Sequence, residues 1–190
     1  MENLQPKSAD DLRALLRSYD ISATLWGVGK AKTIEHLLAE IESGECVLQR
    51  QPVGLVRTIH LVAVEVFHVD GDVTWKLRED RQEFKDGRVR RRGYERLGEK
   101  VAPGESARDA ACRALREELG ITALLGLRAG ELSYRGPEKS TSYPGLLTMY
   151  QTSPFTVLLP KACFRREGYV EVQKDKTTHF LWLQVLGGPY

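Results

Sequence analysis

The chain has 190 residues, 42% of them apolar and 28% charged, with 28 basic against 26 acidic side chains for a net charge of +2. That length suits one domain with a small extension and can bury a full core, and the composition excludes a disordered or fibrous chain. The near balance of charge gives no global case for a membrane surface or for DNA as a partner.

The stretch 8–19, "SADDLRALLRSY", predicts a helix. Ser8 caps it, Asp10 and Asp11 suit its positive end, and Leu12, Leu15, Leu16 and Tyr19 make one face. "GVGKAKT" at 27–33 lacks the spacing of a phosphate loop, because Thr24 stands where the first glycine belongs and Ala31 follows Lys30. It reads as a turn leading into a second helix over 31–43, whose stripe is Ile34, Leu37, Leu38 and Ile41 and whose stop is Gly44. Residues 49–54 connect these helices to the main body of the chain.

From Val56 the period changes. "VRTIHLVAVEVFHV" is rich in β-branched residues on both faces, as in a buried central strand. "VDGDV" is a hairpin turn, because Asp-Gly accepts positive φ, and "TWKLRE" is the returning strand. "KDG" at 85–87 marks another turn, and "RVRRRGYERL" an exposed strand or loop. A helix is expected over 106–119. After it, "LGLRAGELSYR", "LLTMYQTSPFTVLL", "YVEVQ" and "HFLWLQVL" read as strands, and "RGPEKSTSYPG" at 135–145 as a loop of the kind that contacts ligands. One helix inside a mixed set of strands predicts an α/β class.

The segment "EKVAPGESARDAACRALREELGI", 99–121, carries the chemistry. On a helix, positions 114, 117 and 118 share a face, and carboxylates there would make an oxygen-rich surface for a hard divalent cation. Glu117 and Glu118 are present, but position 114 is alanine. Arg113 can pair with Glu117 one turn on. Without any further pattern the helix is simply amphipathic, with Ala110, Ala111, Ala114, Leu115 and Leu119 as its buried side.

This register resembles that of the Nudix hydrolases, G-x5-E-x7-R-E-U-x-E-E-x-G-U with U a bulky aliphatic. Glu105, Arg113, Leu115, Glu117, Glu118, Gly120 and Ile121 match, seven of the nine specified positions; Glu99 and Ala114 depart. The resemblance covers only 99–121. It implies a Nudix-type α/β/α sandwich with a mixed β-sheet over 53–190, preceded by a helical N-terminal extension over 1–52. It implies Mg²⁺ or Mn²⁺, weakly bound, on Glu117, Glu118 and Glu105, and catalytic roles for Glu117, Glu118 and Arg113. It also implies a downstream base, for which Glu131, Glu138 and Glu171 are candidates and Glu138 the first choice. Arg90 and Arg92 are expected to face substrate phosphates, and Tyr143 or Tyr150 to stack a nucleobase.

The expected function is metal-dependent hydrolysis of a nucleoside diphosphate linked to another moiety, weakened by the loss at 114. The alternative is an inactive Nudix-like module that binds a nucleotide-like ligand or a protein partner, including a second copy. As a protein-interaction scaffold it would expose the Leu12, Leu15 and Leu16 stripe. Three widely spaced cysteines, Cys46, Cys112 and Cys163, form no CxxC pair, which predicts reduced thiols in the cytoplasm. "MENLQPKSADDLRALL" resembles neither a signal nor a transit peptide, and no apolar run is long enough for a membrane span.

Overall fold

The computed structural model describes residues 2–123 and 126–187. Within them are three helices and eleven strands. They are β1 (Glu2–Leu4), α1 (Ala9–Ser18), α2 (Ile34–Glu42), β2 (Val47–Gln51), β3 (Gly54–Asp70), β4 (Val73–Phe84) and β5 (Val89–Arg90). After these come β6 (Leu97–Lys100), α3 (Ala107–Leu119), β7 (Leu127–Ala129), β8 (Ser133–Lys139), β9 (Leu147–Leu158), β10 (Tyr169–Val172) and β11 (Lys176–Val185). No helix among the described residues is long and apolar enough to cross a membrane. The strand expected at "LGLRAGELSYR" begins at Leu125, which lies outside the described residues, and it breaks at Gly130 into β7 and β8.

The chain forms two compact units, and they do not follow a cut at 52. The first takes Met1–Leu61, Lys100–Glu105 and Leu132–Thr152; the second takes Val62–Glu99, Ser106–Glu131 and Ser153–Tyr190.

In the first unit, α1 starts on its predicted cap, and α2 starts at Ile34, later than the expected 31, on the hydroxyl of Thr33. Ser8 Oγ accepts from Asp11 N at 3.1 Å, and Thr33 Oγ1 from His36 N at 3.3 Å. The helices pack on each other, and Leu12, Leu16, Ile34 and Leu37 share one core with Leu48, Leu55 and Ile59 from β2 and β3. The helices are therefore part of this unit's core, not an appendage. Of the leucine stripe that a scaffold would expose, Leu12 and Leu16 are closed, at 0% and 1% exposed, and Leu15 is half-buried against the same core. β1, β2 and the start of β3 pair antiparallel. "RGPEKSTSYPG" is half strand, not all loop. β8 pairs antiparallel with β9, and its register shifts between Arg135 and Glu138, so Pro137 sits where the ladder is already interrupted.

A charged group lies inside this core. Glu40, 6% exposed, accepts from Lys32 Nζ at 2.6 Å and from Arg57. Burial raises the Glu40 pKa, but the two cations outweigh it and hold the carboxyl below its ordinary value. The group fastens α2 to β3.

In the second unit, β3 turns into β4 through the predicted hairpin, Asp70 opposite Val73, with Gly71 at φ +59°. β4 pairs antiparallel with β11, and β11 with β10. β5 lies on β4, and β7 on β9. Helix α3 packs against β10.

Candidate active site

Helix α3 is built as its sequence dictates. Ser106, at φ −75° and ψ 154°, accepts from Asp109 N at 3.1 Å and caps the start. Gly120 ends the helix at φ 68°, a left-handed position that suits glycine, and its N–H reaches Arg116 O at 3.0 Å. The glycine of the motif is thus a helix stop. Ala110, Ala111, Ala114, Leu115 and Leu119 are buried, which leaves Arg113, Glu117 and Glu118 toward the polar side.

Arg113 Nη1 lies 3.6 Å from Glu117 Oε2, the expected pair one turn on, and also 3.6 Å from Glu99 Oε2 on β6. Glu118 is partly buried. Burial, and then the charges of Glu171, Glu99 and Glu79, push its carboxyl up to about 8, with Arg92 acting in the opposite direction. Three elements, β4, β6 and β10, carry the acids whose charges act on Glu118 of α3. A carboxyl displaced this far by burial and then by like charges is in the kind of environment found at functional sites.

Ala114 is fully enclosed at 0% exposure, so this position of the helix belongs to its buried side. Glu105 belongs to the first unit, where its Oε2 accepts from Ala102 N at 2.9 Å across its own turn. Glu138 also belongs to the first unit, exposed on β8 and 3.4 Å from Arg135. Of the three downstream candidates, Glu171 is the one whose charge acts on Glu118.

The basic run divides. Arg92 Nε donates to Glu79 Oε1 at 2.8 Å and its Nη2 to Oε2, while its guanidinium lies 4.6 Å from the Tyr94 ring centre. Arg88 pairs with Asp86, and Arg91 with Asp80. Arg90 is exposed on β5. Arg88, Arg90 and Arg91 all stay exposed, the first and last in ion pairs, while Arg92 is drawn inward onto Glu79. Tyr143 cannot stack a base as expected. It is 0% exposed, with its ring 5.0 Å from that of Trp26 and 5.1 Å from the Arg57 guanidinium, so neither face is open. Tyr150 is covered by Arg135 at 4.6 Å.

Glu79 and Glu99 are the residues that sequence reasoning missed. The signal for Glu79 is its place two residues after Leu77 in a strand of alternating burial, which turns an acid inward.

The donors are all carboxylate oxygens, which suit a hard cation in kind. Among the described residues, no three Asp, Glu, His or Cys side chains stand close enough together to hold a metal ion. Such a set fits a cation carried by one or two carboxylates together with substrate phosphates, the usual habit of Mg²⁺, and does not fit an all-protein cage.

No family model matches the chain, and no curated protein matches it. Among solved structures it is similar to the E. coli dihydroneopterin triphosphate pyrophosphohydrolase, with a TM-score of 0.39 and 19% identity over 65% of this chain and 79% of that one. It is also similar to a C. elegans Ap4A hydrolase in a binary complex, with a TM-score of 0.38 and 14% identity over 66% of this chain and 79% of that one.

Proposed function

We propose that this chain is a Nudix-like hydrolase that cleaves a nucleoside diphosphate linked to another moiety and depends on a weakly held divalent cation. The observation that supports this most is Glu118. The motif register marks it as a principal acid, and it is the carboxyl on which Glu171, Glu99 and Glu79 act. Glu118 and Glu117 would hold Mg²⁺ or Mn²⁺, which when bound supplies charge to offset the diphosphate and to activate a water. Arg113 positions Glu117 through their ion pair. Arg90 offers an exposed guanidinium to substrate phosphate. Glu171 replaces Glu138 as the base of this reading, since it acts on Glu118 from within the same unit.

A second reading is favoured by a separate observation. No three metal-ligating side chains converge among the described residues, and Arg92 and Arg113 already neutralise Glu79 and partner Glu117. A module so arranged would bind a nucleotide-like ligand without turning it over. One screen decides between them. Nucleoside diphosphates with varied second moieties are incubated with Mg²⁺ and with Mn²⁺, and each is scored for binding and for product. Product that disappears in Glu118→Gln supports the hydrolase. Binding without product, unchanged by metal, supports the module. Neither binding nor product across the series removes both.

A further inference from the structure

The helical part of the first unit carries an open pocket of about 570 Å³ that the proposed hydrolysis does not use. Its volume lies inside the range of small-molecule sites, roughly 300–1,000 Å³. Leu16, Ile21, Trp26 and Ile34 give it apolar walls. The walls are fixed before any ligand arrives. Trp26 donates its indole N–H to Pro144 O at 2.8 Å and packs against Tyr143, while the Lys32–Glu40–Arg57 group anchors α2. A preformed apolar pocket spares a ligand the entropy of ordering its site.

The two guanidiniums of the lining differ. Arg13 is held by Asp10 and by Glu35, each at 3.0 Å. Arg17, one turn along α1, lines the same pocket and makes no ion pair with any described residue. With Arg13 engaged by both carboxylates, Arg17 is the guanidinium of the lining left to meet an anion. Ser22 and Thr24 add hydroxyls, 3.0 Å apart, on the turn between the helices. The chemistry that matches is an apolar body with one negative charge.

We propose that this pocket binds a small organic anion with a flat apolar body, its charge on Arg17 and its body against Leu16, Trp26 and Ile34. A neutral apolar molecule would leave the guanidinium unused. A purely polar anion would leave the walls unfilled. A guanidinium–anion contact is charge-assisted, so it should dominate the selectivity.

Two probes of nearly equal shape separate these cases on the full chain: 8-anilinonaphthalene-1-sulfonate, and N-phenyl-1-naphthylamine, which lacks the sulfonate. The sulfonate should bind at one site, with energy transfer from tryptophan. Arg17→Glu should weaken it by at least about ten-fold and the neutral probe by less than about two-fold. Arg17→Lys should keep most of the affinity, and Lys161→Glu, in the other unit, should change neither. Ala23→Phe, which fills the pocket, should abolish both; circular dichroism checks that it folds, and if it does not, the Arg17 pair decides alone. The proposal is overturned if neither probe binds up to about 1 mM. It is equally overturned if Arg17→Glu affects both probes alike, or if folded Ala23→Phe still binds them.

Discussion

Arg92 grips both carboxylate oxygens of Glu79, its Nε at 2.8 Å from Oε1 and its Nη2 on Oε2. Glu79 is 4% exposed, so the pair holds a charge that could not otherwise stay inside the unit. The same grip explains why Arg92 is not available to substrate.

Removing one partner should therefore cost far more than removing both. Arg92→Ala leaves a buried carboxylate unpaired, and a loss of about 3–5 kcal/mol in urea unfolding is expected. The double variant Glu79→Met with Arg92→Met should recover most of that loss. If Arg92→Ala costs under about 1 kcal/mol, the pair is screened like a surface bridge and Arg92 is free to serve phosphate after all.

Glu118 should make stability depend on pH in an uncommon direction. Its pKa is raised from 4.5 to about 8 in the folded chain, so between those values the native state holds a proton that the unfolded state has lost. Stability from this group is fully present below pH 4.5 and is lost as pH rises toward 8, at up to about 1.4 kcal/mol per pH unit. Glu118→Gln should be more stable than the parent at pH 8 and should flatten the slope. Unfolding curves at pH 5, 6.5 and 8 measure it. Parallel slopes in the two proteins would mean that solvent reaches the carboxyl and that the neighbouring acids do not govern it.

Much of the fold was legible because local rules and burial agree. The cap Ser8, the Asp70–Gly71 hairpin and the buried alanines of α3 follow from residue type and period alone. What the sequence hid depends on contacts between segments distant in the chain. Glu99 reads as a flaw in the motif until β6 brings it to Arg113. Glu171 looks like one of three loose acids until β10 packs against α3. Tyr143 reads as an exposed loop aromatic, yet Trp26, more than a hundred residues earlier, takes its place in the same core. Composition cannot reveal such partners, because each is brought into place by the packing of segments far apart in the chain.

The Glu40 group should respond to pH in the opposite sense. Its carboxyl lies below the ordinary value of 4.5, so its contribution is present above that pH and is lost on further acidification. Arg57→Met leaves Glu40 buried with Lys32 as its remaining cation and should destabilise by about 3–5 kcal/mol. Glu40→Gln should blunt the acid sensitivity of the parent. Thermal unfolding between pH 3 and pH 6 tests both. An acid limb as steep in Glu40→Gln as in the parent would assign acid unfolding to other carboxylates.

Ala114→Glu tests the motif most directly. The new carboxylate would stand three and four residues before Glu117 and Glu118, completing the trio that the resemblance implies. Ala114 is 0% exposed, however, so the side chain must enter a closed wall of α3 and bring a charge with it. Without metal the variant should lose several kcal/mol, on the order of an unpaired buried charge. With Mg²⁺ it should recover part of that loss, because a cation that binds only the native state adds about 2.7 kcal/mol at a hundred times its dissociation constant. The parent, with two carboxylates on the helix, should gain less. Product formation should rise with the metal response if the scaffold is intact around the broken trio. Thermal shifts with and without Mg²⁺, read beside product from the same substrate series, separate the outcomes. A destabilised variant that Mg²⁺ does not rescue would mean that position 114 belongs to the core of this chain and not to its metal site. The carboxylates that matter would then be those of β6 and β10, Glu99 and Glu171, and their glutamine variants would become the ones that abolish the metal response.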